Sequence, residues 1–157
     1  MILKIVTDSL DEIDLKIIDL LSNDGRITDT EIARKIGLSK TSVRLRKLKL
    51  IESGKIKVLG LPIFRNLNLI DADVFIKFKV NTSQIEIENA VKKLSNEEFV
   101  YEINRYIYKY DLSIAVYHKD FASLKIYLQE LFKDLKYIES YEIYPVVQTD
   151  KSFGVLL

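Results

Sequence analysis

The spacing of apolar residues changes near residue 72, and no single regular element accommodates both patterns. Before that point Leu10, Ile13, Ile17, Leu20 and Leu21 recur at three- and four-residue steps, which lines one side of a helix. After it Val74, Ile76, Phe78 and Val80 alternate with Phe75, Lys77 and Lys79, which gives a strand with one buried face. The 157-residue chain is therefore expected to be helical in its N-terminal third and mixed beyond it.

The helical third reads as three segments. The first stops before Gly25. Thr28 and Glu31 match a capping box that opens a second helix, with Ile32, Ala33 and Ile36 apolar and Gly37 closing it. Ser39 is a suitable N-cap for a third helix running to about Ser53, with Gly54 behind it. In the C-terminal part Ile87, Ala90, Val91 and Leu94 suit a helix. Residues 99–108 and 112–117 alternate as a strand pair turning near Lys109–Asp111. Phe121, Leu124, Leu128, Leu131, Phe132 and Leu135 mark an amphipathic helix, and residues 137–147 a last strand bent or edged by Pro145. The order β-α-β-β-α-β is the ferredoxin-like arrangement, with both helices on one face of the sheet. Its open face is suited to a sheet-to-sheet dimer. The expected class is α+β: a winged-type helix-turn-helix domain over 1–57, a linker over 58–70, and a ferredoxin-like domain over 71–157. Ile56–Leu61 is expected as a short strand, and KSFGVLL at the end as a last strand or a frayed tail.

Composition narrows the chemistry. Cys is absent, which removes disulfides and thiolate metal sites. His118 is the single His, and five Gly leave little material for a phosphate loop, so no catalytic residues, metal or cofactor are expected. No apolar run approaches the roughly 18 residues of a membrane span, and MILKIVTDSL is too short in its apolar stretch for a signal peptide. A cytoplasmic protein that works by binding is expected, with no membrane partner. The net charge of +1 hides an asymmetry. Residues 34–57 hold nine basic residues against Glu52 alone, or +8, while residues 1–33 carry −5 and residues 58–157 carry −2. Such a block is a local electrostatic footprint.

The block coincides with a motif. Ala33 is small where two helices must cross closely, Gly37 suits a turn with positive φ, and Val43 fills the corner, with Leu38 and Leu50 adding to that core. This is helix-turn-helix spacing. The third helix would lie in a DNA major groove with Lys40, Thr41, Ser42, Arg44 and Leu45 on base edges. Arg46, Lys47 and Lys49 would meet phosphates, as would amides behind Thr28 and Ser39 at the helix N-termini. The many Tyr of residues 101–144 are ordinary strand and interface residues, and His118 is expected near the surface. Arg105 is expected to pair with Glu102 or with an acidic residue across a dimer.

LDEIDLKIIDLLSNDGRITDTEIARKIGLSKTSVRLRKLKLIESGKI, residues 10–56, together with the linker LPIFRNLNL and the β-α-β-β-α-β half, resembles the Lrp/AsnC family of leucine-responsive regulators. The resemblance implies a transcriptional regulator on double-stranded DNA with near-palindromic sites. It also implies homodimers joined through the C-terminal sheets, tetramers or octamers built from them, and amino acids or related small molecules as effectors. Two positions depart from the family. Lys47 stands where an apolar residue is usual and Leu48 where a basic one is; either the helix is slightly rotated or Lys47 snorkels. The effector loop, usually Gly-Asp-Tyr-Asp, reads Tyr108, Lys109, Tyr110, Asp111, which leaves a different ligand, or none, open. Proteins on this two-domain plan also include ones that resemble tetrapyrrole decarboxylases, and a sensor or partner subunit that does not touch DNA is a third reading.

Overall fold

The computed structural model describes residues 10–152 and the backbone of residues 155–156; MILKIVTDS therefore lies outside the described residues. The chain divides into two compact units, Met1–Leu61 with Asp150–Leu157, and Pro62–Thr149.

The first unit is built on α1 (Glu12–Asn23), α2 (Asp29–Ile36) and α3 (Lys40–Glu52). Each start is capped by a side chain. Asp11 accepts from the Asp14 amide (2.8 Å) and Asp14 reaches back to the Asp11 amide, a reciprocal box that satisfies amides the helix itself leaves free. Thr28 and Glu31 form the same box on α2, and Ser39 accepts from the Ser42 amide of α3 (3.1 Å). Gly37 caps α2 at φ 74°, a left-handed conformation that glycine adopts without a Cβ clash. The ends of the first helix differ in detail from the sequence reading: Asp24, not Gly25, is the C-cap. Ile17, Ile18, Ile32, Ala33, Val43 and Leu50 form one buried cluster, with Leu10, Ile13, Ile36 and Leu38 packed around it. A fully buried aliphatic side chain contributes roughly 1.5–3 kcal/mol relative to exposure, so a core this small depends on each member.

Ile56–Leu61, expected as a short strand, has no regular secondary structure. A strand needs a ladder partner, and none of the described strands pairs with this segment; the Ile56 amide instead bonds back to the Leu50 carbonyl (3.3 Å). Lys151–Ser152 and Val155–Leu156 pair antiparallel as short strands β5 and β6.

The second unit begins with a 3-10 turn, Phe64–Leu67, whose Phe64 ring stacks on Tyr117 (4.9 Å between centroids). Strands β1 (Ile70–Phe78), β2 (Val100–Arg105), β3 (Leu112–His118) and β4 (Ile138–Pro145) form an antiparallel sheet in the order β2-β3-β1-β4. Helices α4 (Gln84–Leu94) and α5 (Phe121–Lys133) supply Ala90, Leu94, Leu124, Leu128 and Leu131 to a core against Ala72, Val74, Ile76, Ile114 and Val116. Register follows from period two: Val74 stands opposite Ile114 on one side and Ile143 on the other. Val80 lies beyond the strand and is exposed.

Neither α4 nor α5 covers the opposite face of the sheet, where Phe64 packs on Tyr101 and Tyr117. Its central row reads Tyr144, Asp73, Ala115 and Glu102 across four strands. Ser113 and Ala115 are small and buried at the centre. Desolvation, with Glu102 and then Asp71 nearby, raises the Asp73 carboxyl above its ordinary range. Arg105 does not pair with Glu102: it forks both guanidinium nitrogens onto Glu88 of α4 (2.7 Å each), which lowers the Glu88 carboxyl to about 2. Its Cα partner is Leu112, whose side chain lies in the core under the helices, so Arg105 leans to the helix side.

Candidate nucleic-acid interface

Val43 and Leu50 seat α3 on the first unit's core. Seven residues are nearly two turns, so these two anchors fall on one line along the helix. The opposite side then reads Thr41, Arg44, Leu45 and Leu48, all exposed, at i, i+3, i+4 and i+7. Leu45 is 63% exposed and Leu48 41%, high values for leucines on a helix with a core of its own. Lys40 and Lys49 are also exposed on its flanks. Lys40, Arg44 and Lys49 have no ion-pair partner among the described residues. The surface is thus cationic at its edges and apolar along its centre.

The other sequence-predicted residues stand differently. Thr28 spends its hydroxyl on the Glu31 carboxylate (2.8 Å), and Ser39 shares a hydroxyl bond with Ser42 (2.8 Å), so these three side chains serve the caps. That leaves Ser42 half-buried with its hydroxyl turned to Ser39 rather than outward. Arg46 donates to Asp11 (2.7 Å) and Asp14 (2.8 Å) at the start of α1. Its guanidinium is held charged by Asp14 and Asp11, and the Asp11 carboxyl is lowered by the Asp14 amide and by Arg46. Lys47 pairs with Asp29 in the first turn of α2. Its stem lies half-buried at the seam between α2 and α3, and its ammonium reaches the carboxylate. The three acidic partners escaped the sequence reading. Nothing in linear spacing joins Asp11 and Asp14 to a residue more than thirty positions away.

The loop Tyr108–Asp111 is built into the second unit. Asp111 accepts from the Phe78 amide (2.8 Å) and from Lys77 (3.1 Å), pinning the turn to β1 where its register with β4 shifts. Tyr110 packs on Phe75 at 5.1 Å, and its hydroxyl is buried without a hydrogen-bond partner among the described residues. Lys109 lies over the Tyr110 ring and 3.6 Å from Glu142, which also accepts from the Tyr144 hydroxyl. Ile107 and Tyr108 at the tip are almost fully exposed. No group of three or more His, Cys, Asp or Glu suited to a metal occurs among the described residues. His118 is half-buried, its ring against Phe99 (4.8 Å between centroids), with Nδ1 accepting from the Lys119 amide.

An AsnC-type helix-turn-helix domain matches residues 10–51. An uncharacterized HTH-type transcriptional regulator of Pyrococcus horikoshii, PH1055, is 35% identical over 130 residues, which is 83% of this chain and 82% of that protein. The chain belongs to the Lrp/AsnC family. Its architecture is that of solved family members. The AsnC family transcriptional regulator from Agrobacterium tumefaciens superposes with a TM-score of 0.81 at 22% identity, covering 94% of this chain and 97% of that one. The regulator NMB0573 of Neisseria meningitidis, solved as a complex with L-Met, superposes with a TM-score of 0.80 at 17% identity, covering 92% and 94%. The fold class read from the sequence, helix-turn-helix followed by a ferredoxin-like half, therefore stands, and the chain is a DNA-binding transcriptional regulator. No helix among the described residues is long and apolar enough to cross a membrane.

Proposed function

We propose that this regulator reads double-stranded DNA through the outward side of α3, with Lys40, Thr41, Arg44 and Leu45 at base edges and Lys49 on the backbone. The observation that carries this reading is the exposed stripe of Thr41, Arg44, Leu45 and Leu48, flanked by cations that have no ion-pair partner among the described residues. Arg44 suits guanine O6 and N7, and Leu45 and Thr41 suit thymine methyls. Unbonded amides at the starts of α2 and α3, beside Thr28 and Ser39, favour phosphate there. The working particle is a homodimer that places two such helices on near-palindromic half-sites about 34–36 Å apart, or a multiple of it. Tetramers or octamers would extend the same plan. The protein works in the cytoplasm, and the first unit reads DNA while the second assembles it.

The Tyr108–Asp111 loop is open to an effector other than an amino acid, or to none; the Neisseria neighbour is a complex with L-Met. In this chain Asp111 is already engaged with Lys77 and the Phe78 amide, so an effector would meet Tyr108, Lys109 and Tyr110 first.

Selection of bound sites from random DNA, followed by gel-shift titration over a salt series, tests the reading. A two-part site with that spacing and a steep loss of affinity with salt are expected. A flat salt response, or no enriched sequence, would overturn it.

A further inference from the structure

Two of the five basic side chains on α3 turn toward the protein. Arg46 bonds Asp11 and Asp14 at the start of α1, and Lys47 pairs with Asp29 in the first turn of α2. At 3.6 residues per turn, the two lie about 50° to either side of the Val43–Leu50 line, one on each flank. Two buried anchors on a single line resist roll about the helix axis less than anchors spread to either side of it. Opposed ties to α1 and α2 resist that roll in both directions. A roll of about 30° would carry a side-chain tip roughly 6 Å from the axis through about 3 Å, close to one base step of duplex DNA.

We propose that Arg46 and Lys47 are positioning residues: they fix the rotation of α3 so that Arg44 and Leu45 meet one base step and not its neighbour, and they make no contact with phosphate. The proposal rests on the reading of α3 as the DNA-facing helix. It accounts for Lys47 where the family usually has an apolar residue. The ammonium reaches a carboxylate that the start of α2 also favours, so the seam keeps its packing and gains a tie.

The experiment compares specific and random DNA across a salt series for the wild-type protein and the variants Arg46→Gln, Asp14→Asn, Lys47→Met and Asp29→Asn. Positioning predicts that each member of a pair has the same sign of effect. Arg46→Gln and Asp14→Asn each lower the ratio of specific to random affinity about tenfold, with the salt slope unchanged. Lys47→Met and Asp29→Asn do the same to a smaller extent. A phosphate contact predicts opposite signs. Losing the cation would flatten the slope by about 0.9, and removing the carboxylate would free the cation and strengthen binding to all DNA. That second pattern overturns the proposal. Urea unfolding of Arg46→Gln, Asp14→Asn and the double variant gives a reading without DNA. Midpoint losses that fail to add support the tie, and additive losses overturn it. If wild-type protein shows neither salt dependence nor sequence preference, the DNA-facing assignment has failed, while the unfolding cycle still decides the tie. Arg46→Lys, which keeps the charge but not the planar guanidinium, recovers part of the discrimination if Arg46→Gln proves too unstable to assay.

Discussion

Helix α3 and the open face of the sheet are both charged surfaces, and they treat charge in opposite ways. On α3 the cations are sorted: Arg46 and Lys47 are neutralised by Asp11, Asp14 and Asp29, and Lys40, Arg44 and Lys49 keep theirs outward. On the sheet Asp73 has no cation within ion-pair distance among the described residues, and Glu102 and Asp71 add repulsion. Formal charge along a segment therefore says little about what a partner feels. Pairing subtracts from the block of +8, and partial burial amplifies the cost of each unpaired carboxylate.

The comparison breaks most readily at Val43, which is fully buried. Val43→Asp places an unpaired carboxylate in a small core and is expected to destabilise the first unit by about 4 kcal/mol. Sequence-specific gel shift should vanish, with loss of helical signal by circular dichroism. Retained specific binding would mean that the cations act as an unstructured polybasic stretch and that their sorting on α3 is irrelevant.

A sharper cut separates two outward cations. Arg44→Ala should lower affinity for the selected site by about 10- to 100-fold and relax preference at one base position. Lys49→Ala should weaken selected and random DNA alike and reduce the salt slope by about 0.9. Equal losses on both kinds of DNA for both variants would erase the distinction between reading and anchoring.

The smallest effect concerns the sheet. A carboxyl raised in the folded state binds its proton more tightly there than in the unfolded chain. Its contribution to stability is therefore full below the ordinary value near 3.8 and declines as pH rises through the raised value. Asp73→Asn removes this liability. At pH 7 the variant should gain roughly 0.5 kcal/mol in urea unfolding, a modest figure because solvent still reaches the group. The gain should shrink as pH falls toward the ordinary carboxylate range. A loss of stability at pH 7 would show that Asp73 has a favourable partner, as it would if a second copy placed a cation there.

Much of this was legible in linear order because the physics is local. Capping depends on residues three apart, so Thr28–Glu31 and Ser39 located the helix starts, and Gly37 located the turn. Alternation placed β1 to within two residues, since a strand with one buried face must repeat every second position. The short strand at Ile56–Leu61 was misread because its composition is strand-like and pairing is not a property of composition. Arg105 was misassigned because Glu102 is close in sequence while Glu88 is close in space.

The sequence by itself settled the class of fold and the family, and it located the charge block, since periodicity, caps and charge runs all act over short distances. Tertiary structure alone decided which cations of that block remain available and which carboxylates stand unpaired. Those outcomes depend on carboxylates brought from other helices, as Asp11 and Asp14 are brought to Arg46, and on the water that packing removes around Asp73.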